Sequence, residues 1–254
     1  PDMLKIYPTV VTKNTKLHSL WKNKKYKPLT DKNFKKLILE IKNNLIPPYV
    51  RIARLVRDVP EVSIIAGPKI SNLRQLIEKE SHCQCIRCRE VKSEYTLGEN
   101  IILDRIDYPA SGGKEIFLQY VSPDKKKLFA LLRLRIPNCH SRENGNLVIQ
   151  PKICDWIPDQ VGNDKLYDLL PVLKNAALIR EVHTYGKMSQ INKKDVSSPQ
   201  HIGLGKKLLM EAERIAKKEF NLEKIVVISG VGVRGYYKKS GYRLKDTYMI
   251  KKLT

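Results

Sequence analysis

Three places in this 254-residue chain carry residue types whose spacing suits chemistry. The first is Gln200-His201-Ile202-Gly203-Leu204-Gly205, followed by Leu208, Leu209, Ala212, Ile215 and Ala216 at helical spacing, with Lys206, Lys207, Glu211, Glu213 and Lys217 between them. Two glycines let a tight turn crowd its N–H groups with no Cβ in the way, and a helix opening there adds the positive end of its dipole. Such a turn suits a phosphate or pyrophosphate. Its spacing, Q-x-x-G-x-G, is neither the dinucleotide G-x-G-x-x-G nor a P-loop ending in G-K-[ST]. Two glycines before a helix also serve as a plain loop, so the neighbours must decide. The second place is His82-Cys83-Gln84-Cys85-Ile86-Arg87-Cys88. C-x-C-x-x-C brings three thiolates close enough to share one tetrahedral ion, zinc above all; three surface thiols without a metal are the plainer alternative. The third is the pair Tyr236-Tyr237. Adjacent residues of a short helix cannot both face one cleft, so at least one of the two rings packs.

The elements that must position these residues follow from local pattern. Ala177 to Tyr185 reads as a strand, and Lys224 to Ser229 as a short β-branched strand. After it come a glycine turn, a short helix bearing the two tyrosines, a stop at Gly241 and a return to strand. Upstream, Ser111 to Tyr120 and Lys127 to Arg135 are strands joined by a turn at Pro123-Asp124. Residues 138–164 are polar and turn-rich, an expected irregular surface insertion holding Cys139, His140 and Cys154, which are given no metal role. Nearer the start, Leu4 to Val11 reads as a strand and Leu17 to Trp21 as a short helix. Asp31 to Leu45 reads as a longer helix with Phe34, Leu37, Ile38, Ile41 and Leu45 inward, stopped by Pro47-Pro48. Tyr49 to Asp58 is a further strand, and Asn72 to Glu80 is helix-patterned. A strand–helix–strand series of this kind fits the end of an α/β barrel.

Composition narrows the partners. Lys and Arg number 48 against 26 Asp and Glu, a net charge of +22, which suits a polyanion; a basic composition or a merely soluble surface is the alternative. Lys13, Lys16, Lys22, Lys24, Lys25, Lys27, Lys32, Lys35 and Lys36 crowd around Trp21 and Tyr26, which fits either RNA backbone contact or a solvated helix face. No apolar run approaches the ~18 residues that cross a bilayer, and Pro1-Asp2-Met3-Leu4-Lys5 shows no signal region and reads as cut from a longer chain. Five cysteines, three within six positions, suit a reducing cytosol rather than a disulfide framework, so a cytoplasmic protein without membrane partners is expected.

The order strand, glycine turn, long helix, strand, short helix, strand is similar to that of GNAT-type acetyltransferases. The words "IREVHTYG", "QHIGLGKKLLMEAERIA" and "ISGVGVRGYYKKSGYRL" together resemble the acetyltransferase domain of the Elongator catalytic subunit family, elongator protein 3. "LKIYPTVV", "LWKNKKYKP", "IPPYVRI" and "RDVP" resemble the end of that family's radical S-adenosylmethionine domain, and "CxCIRCRE" resembles its zinc-binding linker. The resemblance implies an α/β (α+β) fold with a mixed central sheet. It divides the chain into a partial α/β barrel at 1–70, a zinc-binding linker at 71–95 and a GNAT domain at 96–254. Acetyl-CoA is then expected on the backbone of Glu181, Val182, His183 and Thr184, on Gln200, Gly203, Leu204, Gly205 and Lys206, and beside Tyr236 and Tyr237. The match favours Tyr237 as the acid that protonates the departing thiolate. Cys83, Cys85 and Cys88 are the expected zinc ligands. The family's fourth ligand, a histidine on the strand at Arg51 to Asp58, is replaced here by Leu55 and Val56, and His82 substitutes only if local geometry allows. The family's iron–sulfur cysteines lie earlier in its chain, and nothing in these residues matches ligands for a [4Fe–4S] cluster or S-adenosylmethionine. The implied activity is acetyl-CoA-dependent conversion of the tRNA wobble uridine to 5-carboxymethyluridine, with tRNA as partner and a separate chain as one source of the missing barrel. A free-standing N-acetyltransferase and a non-catalytic tRNA-binding remnant are the alternatives.

Overall fold

Ile225, Val226 and Val227 are buried at the middle of a sheet, as a short β-branched run predicts. The computed structural model describes residues 1–56, 59–92, 98–137, 170–186 and 203–254, with the backbone alone at 141–143 and 146–148. Two compact units emerge, Pro1–Glu90 and Val91–Thr254. Both mix strands and helices, so the α/β class expected from sequence is the one observed.

In the first unit, β1 (Met3–Lys5) pairs in parallel with β3 (Arg51–Arg54), and β2 (Val11–Thr12) pairs antiparallel with β4 (Ile64–Ala66). The single strand expected over Leu4 to Val11 is thus two strands with different partners. Pro8 lies between them and has no N–H for a ladder. Thr15 caps α1 (Lys16–Lys22), which buries no residue, and Thr30 caps α2 (Asp31–Glu40). A π-helical turn, Ile41–Leu45, follows α2 where continued α-helix was expected. Phe34 and Ile38 are buried as predicted, but Leu37 and Leu45 face solvent. The wider turn shifts the helical phase, and Lys42 is the residue carried inward, 2% exposed. The helical pattern at Asn72 to Glu80 forms only α3 (Leu73–Leu76), and α4 (Ile86–Arg89) follows the second cysteine. Phe34, Ile38, Ile52, Leu55, Leu73 and Ile77 form one core together with Cys83 and Cys85.

The second unit is built on β5 (Ile102–Ala110), β6 (Gly113–Val121), β7 (Leu128–Pro137), the hairpin β8 (Ser141–Glu143) and β9 (Asn146–Val148), β10 (Ala176–Thr184), β11 (Lys224–Ile228), β12 (Arg243–Lys245) and β13 (Tyr248–Lys252). Seven of these strands make one sheet in the order β12-β13-β11-β10-β7-β6-β5, with only β10 and β11 parallel. The parallel pair is joined through α5 (Leu204–Lys218), whose buried Leu204, Leu208, Leu209, Ala212, Ile215 and Ala216 form the predicted apolar stripe. The short helix α6 (Arg234–Lys239) precedes β12, and Gly241 between them has φ +88°, a conformation glycine adopts at no steric cost. Residues 138–164 are not wholly irregular, since β8 and β9 pair there; the rest of that segment, with Cys139, His140 and Cys154, lies outside the described residues. Glu213, expected in solvent, instead accepts from the Tyr242 hydroxyl at 2.9 Å and pairs with Lys251 at 2.7 Å. Burial beside that carboxylate pushes the Tyr242 hydroxyl far above its ordinary pKa.

Candidate functional site

β10 pairs with β11 only from Ala176 to Ile179. Beyond that point β10 continues to Thr184 against β7 alone, while β11 runs one residue further, to Ile228, against β13. A register shift on the β7 side makes Arg180 an extra, bulged residue between Ile179 and Glu181. The two strands therefore part along Glu181, Val182, His183 and Thr184, leaving backbone groups that face away from β7 without strand partners on the β11 side.

The glycine turn opens close by. Gly203 has φ +74° and precedes α5 with no side-chain cap, and Lys207 is the first residue to donate into the helix, to the Gly203 carbonyl at 3.0 Å. The N–H groups of Leu204, Gly205 and Lys206 are thus left by helix geometry without intrahelical acceptors. A Cβ on Gly205 would lie 3.0 Å from the Tyr236 hydroxyl and 3.5 Å from Thr184 Cγ2. One point thereby joins the end of β10, the start of α5 and the tyrosine helix. Burial raises the pKa of both tyrosine hydroxyls, so both stay protonated donors at neutral pH. Tyr237 is buried, edge-on to Tyr242 with ring centroids 5.8 Å apart, whereas Tyr236 is partly open. Of the two hydroxyls, the one that lies against the glycine turn is that of Tyr236.

Glu181 is a partner of the buried Arg133 at 2.8 Å, and Arg133 also reaches the Tyr108 hydroxyl and lies over the Phe117 ring. That pairing holds the carboxylate as a counter-ion. His183 is exposed, with its ring 4.4 Å from that of Tyr185.

In the first unit, the sulfurs of Cys83, Cys85 and Cys88 all lie within 4.8 Å of one another. Zn–S bonds of about 2.3 Å in a tetrahedron set sulfurs about 3.8 Å apart, so the trio fits such an ion with small adjustment. Hydrogen bonds from Cys83 and Cys88 hold the Cys85 thiol far below its usual pKa, and the reciprocal bond pushes Cys83 up. Lys42 Nζ lies 3.5 Å and an Arg74 nitrogen 3.8 Å from Cys88 Sγ. Among the described residues neither His82 nor any carboxylate joins the trio. The His82 N–H is tied to Asn43 at 2.9 Å.

The Radical_SAM C-terminal domain family matches residues 1–82. The chain is 42% identical over its whole length to a tRNA uridine(34) acetyltransferase of Dehalococcoides mccartyi, covering 51% of that protein. It is also 37% identical to human Elongator complex protein 3, covering 43% of it. A solved structure of the archaeal Methanocaldococcus infernus Elp3 with an N-terminal deletion matches with a TM-score of 0.74 and 37% identity, over 100% of this chain and 56% of that one. By sequence and by fold alike, the chain is similar to these proteins. It spans about half the length of the curated relatives it matches.

The structure brings Thr184, Gly205 and Tyr236 to one point, with Glu181, Val182 and His183 earlier on β10 and Gly203, Leu204 and Lys206 flanking Gly205 in the turn; Tyr237 is buried beside Tyr236, and Gln200 lies outside the described residues. Sequence reasoning missed Lys42, Arg74 and Arg133. The first sits in Ile41-Lys42-Asn43-Asn44-Leu45, which reads as an ordinary helix end, and no local signal marks its π-turn. Of the lysines grouped around Trp21 in this Elongator-like segment, Lys35 is paired with Glu80 at 2.6 Å. His18 stacks on Trp21 at 6.0 Å on the surface of α1. No helix among the described residues is long and apolar enough to cross a membrane.

Proposed function

We propose that this chain is the acetyl-CoA- and tRNA-binding C-terminal portion of an Elongator-type enzyme acting on the wobble uridine of tRNA. The observation that carries the reading is the wedge between β10 and β11, closed at one end by Gly205 with the Tyr236 hydroxyl 3.0 Å from where a Cβ would stand. Acetyl-CoA lies in the wedge, its pantetheine arm on the backbone of Glu181 to Thr184 and its pyrophosphate on the N–H groups of Gly203 to Lys206. Tyr236, kept protonated by burial, donates to the thioester or its departing thiolate. The division into barrel remnant (1–70), linker (71–95) and GNAT domain (96–254) belongs to this proposal, as does a zinc on Cys83, Cys85 and Cys88 that would brace the linker. The names of the relatives support uridine 34 as the target. Among the described residues no metal-ligand group besides Cys83, Cys85 and Cys88 stands ready for the [4Fe–4S] cluster of that family.

The test measures acetyl-CoA binding by calorimetry and free thiol release with and without tRNA, across a salt series. Expected are acetyl-CoA binding, thiol release that rises with tRNA, and tRNA affinity that falls steeply with salt. Acetylation of free amines independent of tRNA would favour the stand-alone N-acetyltransferase. Failure to bind acetyl-CoA, with tRNA still bound, would leave a non-catalytic remnant.

A further inference from the structure

We propose that Cys83, Cys85 and Cys88 form a three-thiolate metal centre whose fourth position is exchangeable with solvent ligands, and that the buried Lys42 is its counter-ion. The inference rests on the reading that the trio holds a metal. It starts from what surrounds the three sulfurs: Leu55, 2% exposed, packs into the same core as Cys83 and Cys85 and offers no lone pair. Among the described residues no histidine, carboxylate or further thiol lies with the three sulfurs. The protein side of the site is also one-sided: Cys83 and Cys85 are buried, and Cys88 is exposed. An ion held by these three sulfurs would have one valence left for a solvent ligand, as in open rather than closed zinc sites.

Lys42 supplies the second argument. An ammonium 2% exposed has lost nearly all its hydration, which is tolerated only beside a strong anion. Its one side-chain partner among the described residues is Cys88 Sγ at 3.5 Å. A neutral thiol is a poor acceptor for a buried ammonium, whereas a metal-bound thiolate is a good one. Three thiolates around a divalent ion leave one net negative charge, and Lys42 cancels it. Arg74 approaches the same sulfur at 3.8 Å while its other nitrogen donates to the Ile52 carbonyl at 2.8 Å, so it braces β3 against the site. The π-turn is what delivers Lys42: a continuous α-helix would have turned Ile41 and Leu45 inward instead.

The experiment loads the full chain with Co²⁺ and records its visible d–d bands and sulfur-to-cobalt charge transfer during titration with imidazole and with azide. The expected result is one cobalt per chain with tetrahedral bands that move and saturate as either ligand is added. Tetrahedral bands indifferent to both ligands would overturn the open position alone, since a protein group would then hold the fourth place. Absence of cobalt binding would overturn the metal reading itself. In competition with a chromophoric chelator, Lys42→Met should hold cobalt roughly 10–100-fold more weakly, and Lys42→Arg should stay close to the parent. Retention by Lys42→Met equal to the parent's would remove the counter-ion role. Should Lys42→Met fail to fold, the parent spectrum and Lys42→Arg still decide.

Discussion

Gly205 separates a binding role from a packing role, because the two predict opposite outcomes. Replacing it with Asp adds a Cβ 3.0 Å from the Tyr236 hydroxyl, the movable end of a side chain, and 3.5 Å from Thr184, an ordinary contact. Neither clash threatens the fold. Within the first turn of α5, the loss of glycine's chain entropy and the favourable placement of a carboxylate near the helix N-terminus each contribute up to about 1 kcal/mol. The free chain of Gly205→Asp should therefore melt within a few degrees of the parent. Acetyl-CoA binding should collapse. A carboxylate about 4 Å from a pyrophosphate, at an effective dielectric near 20, is repelled by about 4 kcal/mol, on the order of a 10³-fold loss in affinity. At ligand 100 times its Kd the parent gains about 2.7 kcal/mol, a rise in Tm of roughly 5–10 °C for a domain of this size. The variant should show none. Calorimetry and melting with and without acetyl-CoA measure both quantities. Equal affinities would place the pyrophosphate elsewhere, and parallel loss of stability and binding would make Gly205 a packing residue.

Tyr236→Phe should slow thiol release by roughly 10²-fold with little change in Tm, whereas Tyr237→Phe should leave turnover near the parent's; the reverse order would restore Tyr237 as the acid. Glu115 is 1% exposed and pairs with Arg135 at 3.0 Å and Arg180 at 3.1 Å, so Glu115→Ala should cost about 3–5 kcal/mol in urea unfolding, and a loss under about 1 would refute its role. Burial pushes Asp107 and Glu219 up, but Arg105, with Lys114 and Arg214, outweighs it and holds both below the ordinary carboxylate range. Their contribution is present above roughly pH 4 and lost as pH falls through the folded pKa, so the stability gap between parent and Arg105→Leu should close in acid and not in base. Cys85→Ser should abolish metal retention and lower the Tm of metal-replete protein, while leaving chelator-treated protein nearly unchanged.

What the sequence displayed was periodicity, and periodicity places elements better than it places side chains. The apolar stripe of α5 and the runs of β10 and β11 were legible because each buries a face at one fixed period. The phase of the Asp31 helix was not, because a π-turn five residues long moves Lys42 in and Leu45 out without any breaker residue to announce it. The same limit applies to charge. Nothing in the local pattern marks Arg133, Glu115 or Glu213 as paired, yet each finds its partner on another element. Adjacent tyrosines could be narrowed to one, but which one depends on how α6 docks, and that is decided by Tyr242 and Gly205 together. The pairing of β8 with β9 has a local signal, the Asn-Gly pair at 144–145, but no apolar alternation around it to mark the strands.

The wedge between β10 and β11 needs something to hold it open, because two parallel strands that begin paired gain hydrogen bonds by remaining so. Two features oppose closure. The bulge at Arg180 changes the register of β10 against β7 just where it leaves β11, so the outer half of the strand can keep its β7 ladder only in the parted position. The charges on either side of that bulge then fix it. Arg180 reaches the buried Glu115 on β6, which Arg135 of β7 also binds, and Glu181 is drawn to the buried Arg133 of β7. Closing β10 onto β11 would pull Arg180 and Glu181 from these partners and strand a carboxylate and a guanidinium inside the sheet, at a cost of several kcal/mol that a few ladder hydrogen bonds of about 1 kcal/mol each do not offset. The buried ion network thus helps keep the outer half of β10 against β7, and on the function proposed above that half is the backbone offered to an extended acyl carrier.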